Sequence, residues 1–324
     1  MNTALGAAMV WVLLRTVSAG ALLDHLEPRH LEPVFAILAL TLLSQLVRAG
    51  RWMLLLRGLT RVGYREALWV NATTQLLNYA IPIRAGEALR LWWLNRRRRV
   101  PIAGALGIVV IDHAFDLCGV AGVLSVASVV SGLGIDRRLP SLTGMLIALG
   151  LALAMFSAIV LTILVGPHVA GSDLMRRLLR PVWHDRLTDH ATAVRGAAAT
   201  LGGRRRVALM LGASAVAVML DGLAFAMLFT ALGLAVPLFS ALVTQVTLLY
   251  TTLLPSAPGY VGSLEAGGTF LLSNALGLPR ATAAGAMVLW HALAALMVVA
   301  LGLVAVQQLR STGVLRIRSL LRTS

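Results

Sequence analysis

The sequence predicts an all-α polytopic membrane protein with six full spans plus two re-entrant helical hairpins arranged as an inverted repeat. Three observations lead there. Of 324 residues, 58% are hydrophobic and 13% charged, with mean hydropathy +0.84, which leaves too little polar surface to wrap a water-soluble core of this size. Long apolar runs recur along the chain, and two stretches are interrupted midway by proline, glycine and charged residues. All 28 basic residues are arginine, giving with 13 acids a formal net charge of +15. In a membrane chain such an excess belongs on cytoplasmic loops facing anionic headgroups, and nucleic acid is not the expected partner.

The runs at 4–23, 34–56, 102–131, 141–165, 207–232 and 281–306 are each long enough to cross a hydrocarbon core of about 30 Å at about 1.5 Å per residue. The first carries Arg15 and lacks a small-residue cleavage site, so it reads as a retained helix and not a signal peptide. The loop at 24–33, with Asp24, Glu27 and Glu32, falls outside. The stretch 66–95 is broken by Asn78, Pro82, Arg84, Gly86 and Glu87; Arg57, Arg61 and Arg65 precede it and Arg96 to Arg99 follow. Both ends are therefore cytoplasmic, and the stretch enters and returns as a re-entrant hairpin. Cys118, the sole cysteine, is expected to be inert packing.

Carrying the count onward makes 166–206 a cytoplasmic connector, with Arg176, Arg177, Arg180, Arg186, Arg195 and Arg204 to Arg206, and puts the C-terminal tail inside too. Within the connector, the apolar and basic pattern of 173–195 reads either as a helix lying on the headgroups, broken by Pro181, or as a solvated linker. The stretch 238–275, broken by Pro255, Pro258, Gly259, Gly262 and Glu265, is then a second hairpin entered from the outer face.

A shift of 178 residues places Glu87 on Glu265, Pro101 on Pro279 and His113 on His291, with eight identities between 101–125 and 279–303. Three crossings separate the copies, so within a single transmembrane domain, 1–324, the unit 207–306 is the unit 34–131 upside down.

Non-helical backbone at membrane depth is tolerated only inside protein or beside a watery cavity. The hairpin tips should therefore line something polar. Pro82 can open the return helix, Gly86 permits close backbone approach, and the fresh helix N-terminus offers N–H groups to an anion that Arg84 clamps. Glu87 holds Arg84 or exchanges protons, while Arg90 contributes to the site or snorkels to the interface. Ionisable residues inside spans default to functional candidates. They are Arg48, Arg51, Asp112, His113, Asp116, His291 and Asp221, the last without an evident partner in the sequence. Asp112 and Asp116 share a helix face and would repel unless an arginine or a metal lies between them. The bland alternatives are an arginine–aspartate network that only fixes helix packing, and histidines that only bridge helices.

Three ordered motifs resemble the transmembrane domain of lysylphosphatidylglycerol synthases. They are Pro82-x-Arg84-x-Gly86-Glu87-x-x-Arg90, Asp112-His113-x-x-Asp116 and Pro255-x-x-Pro258-Gly259-x-x-Gly262-x-x-Glu265, and the likeness runs from about 30 to 310. It implies a lipid flippase. Asp112-His113 stands where that family usually has Glu-Arg, so one candidate phosphate-binding arginine is missing. With Ser324 last and no aminoacyltransferase domain before it, the resemblance implies transport alone.

The expected substrate is an anionic phospholipid or polyprenyl-linked lipid, moved by alternating access, with Glu87, Glu265 or the aspartate pair available for proton coupling. Neither a cofactor nor a bound metal is expected, and a homodimer is compatible with the architecture. The expected location is a bacterial inner membrane with both termini cytoplasmic. Two alternatives stand. Asp112-x-x-x-Asp116 superficially matches the Mg²⁺ carboxylates of lipid-phosphate transferases, though no second such motif follows. An ion-coupled transporter of a small soluble solute would show the same repeats.

Overall fold

The computed structural model describes residues 31–81, 85–132, 172, 177, 181–199, 201–248 and 258–313. Pro82, Arg84 and Pro255, and the expected spans at 4–23 and 141–165, lie outside them. Among the described residues every regular element is helical. Four helices are long and apolar enough to cross a membrane: α1 (Leu31–Leu56), α4 (Ile102–Gly132), α6 (Arg204–Ala231) and α9 (Arg280–Ser311). Their ends fall within a few residues of the apolar runs read from the sequence. Between them lie α2 (Tyr64–Ala80), α3 (Ala85–Arg98), α5 (Pro181–Ala199), α7 (Leu238–Leu248) and α8 (Ser263–Ala275).

The first broken stretch is a helical hairpin. Pro82 disfavours helical backbone in the residue before it, and Ile81 is extended (φ −125°, ψ 125°), ending α2. At the tip, the Gly86 N–H donates to Asn78 Oδ1 at 2.8 Å. At the base, Arg98 pairs with Glu66. Contacts at both ends require α2 and α3 to run antiparallel. Gly86 is what lets them close: a Cβ there would collide with the Thr74 carbonyl oxygen and stand 2.7 Å from Asn78 Oδ1. With 17 and 14 residues, α2 and α3 are about 25 and 21 Å long.

The second broken stretch comprises α7, a single 3₁₀ turn at Pro258–Tyr260, and α8, which packs back on α7. Gly259 (φ 75°) and Gly262 (φ 89°) adopt left-handed backbone that a side chain resists, and they turn the chain into α8. Glu265 caps that helix by accepting from the Gly262 N–H at 2.7 Å.

The 178-residue offset reappears in the helices themselves. The starts of α3 and α8 differ by 263 − 85 = 178, and those of α4 and α9 by 280 − 102 = 178. Pro101 and Pro279 precede the latter two, where a proline has no intrahelical N–H to lose.

The most extensive interhelical packing joins α1 to α6, with Ser44 Oγ donating to the Ala217 carbonyl at 3.3 Å. The first hairpin leans on α9, where Gly302 admits Leu76. One apolar core, around Trp52, Trp93, Leu94 and Ile108, ties α1, α3 and α4; another, around Phe225, Phe229, Leu272, Met287 and Trp290, ties α6, α8 and α9. Pro181 opens α5 instead of breaking it, as its fixed φ suits a first helical residue. That helix packs against α4.

Candidate functional site

Two polar clusters meet at the broken helices. The first is an arginine–carboxylate lattice. Arg51 on α1 is 2% exposed and reaches Asp112 at 2.8 Å and Asp116 at 2.7 Å, both on α4, and donates to Ser214 Oγ on α6 at 2.8 Å. Arg48, a turn earlier, bridges Asp116 at 2.7 Å and Asp221 of α6 at 2.6 Å. Arg90 of α3 adds Asp112 at 3.1 Å and Glu87 at 3.5 Å, bonds Asn71 of α2, and stacks on Trp52 with its guanidinium carbon 5.2 Å from the ring centroid. The buried charges among them, Arg51, Arg90 and Asp112, persist only when matched. Here Arg48, Arg51 and Arg90 are set against Asp112, Asp116, Asp221 and Glu87.

Several sequence expectations change accordingly. Asp221, without an evident partner in the sequence, is held by Arg48. Arg90 does not snorkel: it is 5% exposed and tied to three helices. Asp112 and Asp116 share Arg51, the cation that keeps them from repelling, so their carboxylates work on guanidinium groups. Among the described residues no group of three or more His, Cys, Asp or Glu is placed to hold a metal. Both terminal nitrogens of Arg48, Arg51 and Arg90 are engaged by protein, so an incoming anion would have to displace a carboxylate or amide. At the return helix the Gly86 N–H is likewise taken, by Asn78, and is not free for an anion. Cys118 is a free, partly buried thiol.

The second cluster centres on His291 of α9, 2% exposed. Its Nδ1 bonds Glu265 of α8, and its Nε2 stands 2.7 Å from the Gly259 carbonyl and is also bonded to the Tyr79 hydroxyl of α2. Tyr79 also meets Tyr260 edge-on at 6.1 Å, and its ring carbon lies 3.1 Å from where a Gly259 Cβ would be. The tip of the first broken stretch thus touches the turn of the second. Tyr79, Asn71 and Ser214 were not singled out from sequence. Tyr79 alone carried a signal, lying inside the Asn78 to Arg90 motif as a polar aromatic one residue past Asn78.

The residues 178 earlier form the same pair in looser form. Glu87 faces His113 at 3.9 Å, too far for a hydrogen bond, and the His113 side chain is 40% exposed. Asn78 Nδ2 lies 3.4 Å from Glu87 Oε1. Each histidine sits eleven residues into its helix (113 − 102 and 291 − 280), about 16 Å along. Outside Glu265, a cleft of about 480 Å³ runs along α8 past Thr269 and Ser273 to Arg280, with Phe270 on its flank.

Long apolar helices, shorter broken ones and buried matched charges define a multi-pass membrane protein with a polar interior. The chain belongs to the family described as the lysylphosphatidylglycerol synthase TM region, whose family model matches residues 1–302. Neither a curated protein nor a solved structure matches it. Membership places the chain in a membrane and links it to lipids.

Proposed function

We propose that the protein moves an anionic lipid headgroup between the leaflets of a bacterial inner membrane by alternating access, as a flippase without chemistry of its own. The observation that carries this reading is the junction of Tyr79, Gly259, Glu265 and His291, where two broken helices bring polar groups together, and which we place at mid-depth. Backbone breaks at that depth line a path for something polar. The matching helix starts and the paired Glu–His positions support an inverted repeat with two re-entrant hairpins, and the arginine-rich connector and tail support cytoplasmic termini.

In this reading the lattice around Arg51 is the fixed scaffold, since its guanidinium groups are already matched. The headgroup phosphate is left to Arg84 at the first tip and to Arg280 at the far end of the α8 cleft, whose Thr269 and Ser273 can exchange hydrogen bonds with a polar headgroup. Acyl chains stay in lipid beside Phe270, which is 66% exposed.

The test is headgroup translocation in vesicles holding the full chain and a fluorescent anionic phospholipid, read by dithionite quenching. Wild type should bleach the inner-leaflet pool, and Arg84→Gln and Glu87→Gln should slow this by about tenfold or more, the loss of one charge-assisted contact. Translocation no faster than in empty vesicles, or both variants matching wild type, refutes the proposal.

A further inference from the structure

Two sequence-related pairs occupy two different conformations in one molecule. Glu265–His291 is hydrogen-bonded, with the histidine buried and capped by Tyr79 and the Gly259 carbonyl, whereas Glu87–His113 is apart at 3.9 Å with the histidine 40% exposed; the two glutamates are similarly part-buried. Their positions in the helices are equivalent, with each Glu on the return helix of a broken stretch and each His eleven residues into the following span. Because the repeat places a Glu and a His at equivalent positions in both halves, exchanging the two conformations defines a second state of the whole molecule.

We infer that the two Glu–His pairs are a reciprocal gate: Glu265–His291, latched by Tyr79, is shut in this state while Glu87–His113 is open, and the other state reverses them. The inference deepens the transport reading and rests on it, naming the residues that close each side. Groups around the shut pair are Tyr79 from α2, Tyr260 from the 3₁₀ turn, and the main chain of Gly259 and Gly262. Around the open pair are Asn78 from α2 and Arg90 from α3. The shut pair also divides the α8 cleft, which Glu265 lines on one side, from the first hairpin tip, where Tyr79 stands on the other. The lattice on Arg51 has no counterpart in the second half, where Phe229, Gly268, Trp290 and Ala294 stand 178 after Arg51, Arg90, Asp112 and Asp116, and it serves as the fulcrum.

The experiment uses the full chain in lipid nanodiscs, with amide hydrogen exchange read by mass spectrometry over residues 85–92 and 262–270. In wild type the second segment should exchange more slowly than the first. Glu265→Gln and Tyr79→Phe each weaken the shut pair. Both should speed exchange over 262–270 and slow it over 85–92, each by about tenfold, as loss of a buried hydrogen bond to a charged group implies.

A rise over 262–270 with no fall over 85–92 would mean local fraying and overturn the gate. His113→Ala touches little in this state, so it should leave the wild-type exchange pattern intact while stopping lipid translocation, with His113→Gln restoring part of it. Unchanged translocation in His113→Ala also overturns the gate. Reciprocal exchange without translocation in any variant would instead sink the flippase reading and leave the gate standing.

Discussion

Replacing Arg51 by methionine tests whether the buried lattice is the scaffold of the fold. The guanidinium makes two bonds to carboxylates, at 2.8 Å to Asp112 and 2.7 Å to Asp116, plus one to Ser214, and its side chain is 3% exposed. Each hydrogen bond to a charged group is worth about 1.5–3 kcal/mol, and removing one partner of a buried ion pair costs about 3–5 kcal/mol because the other charge stays behind. Both carboxylates keep a second arginine here, Asp112 through Arg90 and Asp116 through Arg48, so the lower end applies. Methionine also retains the apolar stem. The expected loss is about 3 kcal/mol, measured by reversible unfolding of the purified protein in mixed micelles and followed by the fluorescence of its seven tryptophans. Adding Asp112→Asn to Arg51→Met should recover part of the loss, because one of the two neighbouring acids that lost their shared arginine is then neutral. A loss below about 1 kcal/mol, or a double variant equal to the sum of the singles within about 0.5 kcal/mol, would show that the lattice does not hold α1, α4 and α6 together.

Other perturbations separate the remaining contacts. Gly86→Ala should destabilise by about 2–3 kcal/mol despite alanine's better helix propensity, since the new methyl meets the Thr74 carbonyl; Gly104→Ala, with Val100 Cγ1 at 3.5 Å, should be neutral or stabilising, and thermal melts compare the two. Gly302→Ala places a methyl 2.6 Å from Leu76 Cβ and should cost about 1–3 kcal/mol, much of it regained in the Leu76→Ala background if the first hairpin docks on α9 as described. Glu66→Gln breaks only the partly exposed pair at the hairpin base, and its effect on the melting midpoint should correspond to less than about 1 kcal/mol and shrink further in high salt.

Much of the architecture was legible in the residues because the bilayer imposes length and polarity directly. The spans now seen as α1, α4, α6 and α9 announced themselves as apolar runs, and the breaks between α2 and α3 and before α8 announced themselves through Pro82, Gly259 and Gly262. The 178-residue repeat was visible in Glu87, Pro101 and His113, and Gly86 was read as a point of close approach. Pairing was not legible. Nothing local to Asp221 points to Arg48, which lies 173 positions away, and nothing local to Tyr79 points to His291, 212 positions away. Arg90 looked free to reach the interface because its i, i+3 neighbour alone does not bury it; Asp112, Asn71 and Trp52, brought from three other helices, do.

The sequence alone determined that this protein lives in a membrane, where its long helices run and where they break, since hydropathy and proline stereochemistry act over a few neighbouring residues. Tertiary structure decided which charges neutralise one another and that one Glu–His pair is hydrogen-bonded while its counterpart stands 3.9 Å apart. Those outcomes depend on distances between helices remote in the chain, and a buried charge is stabilised only by the partner that packing delivers within about 3 Å.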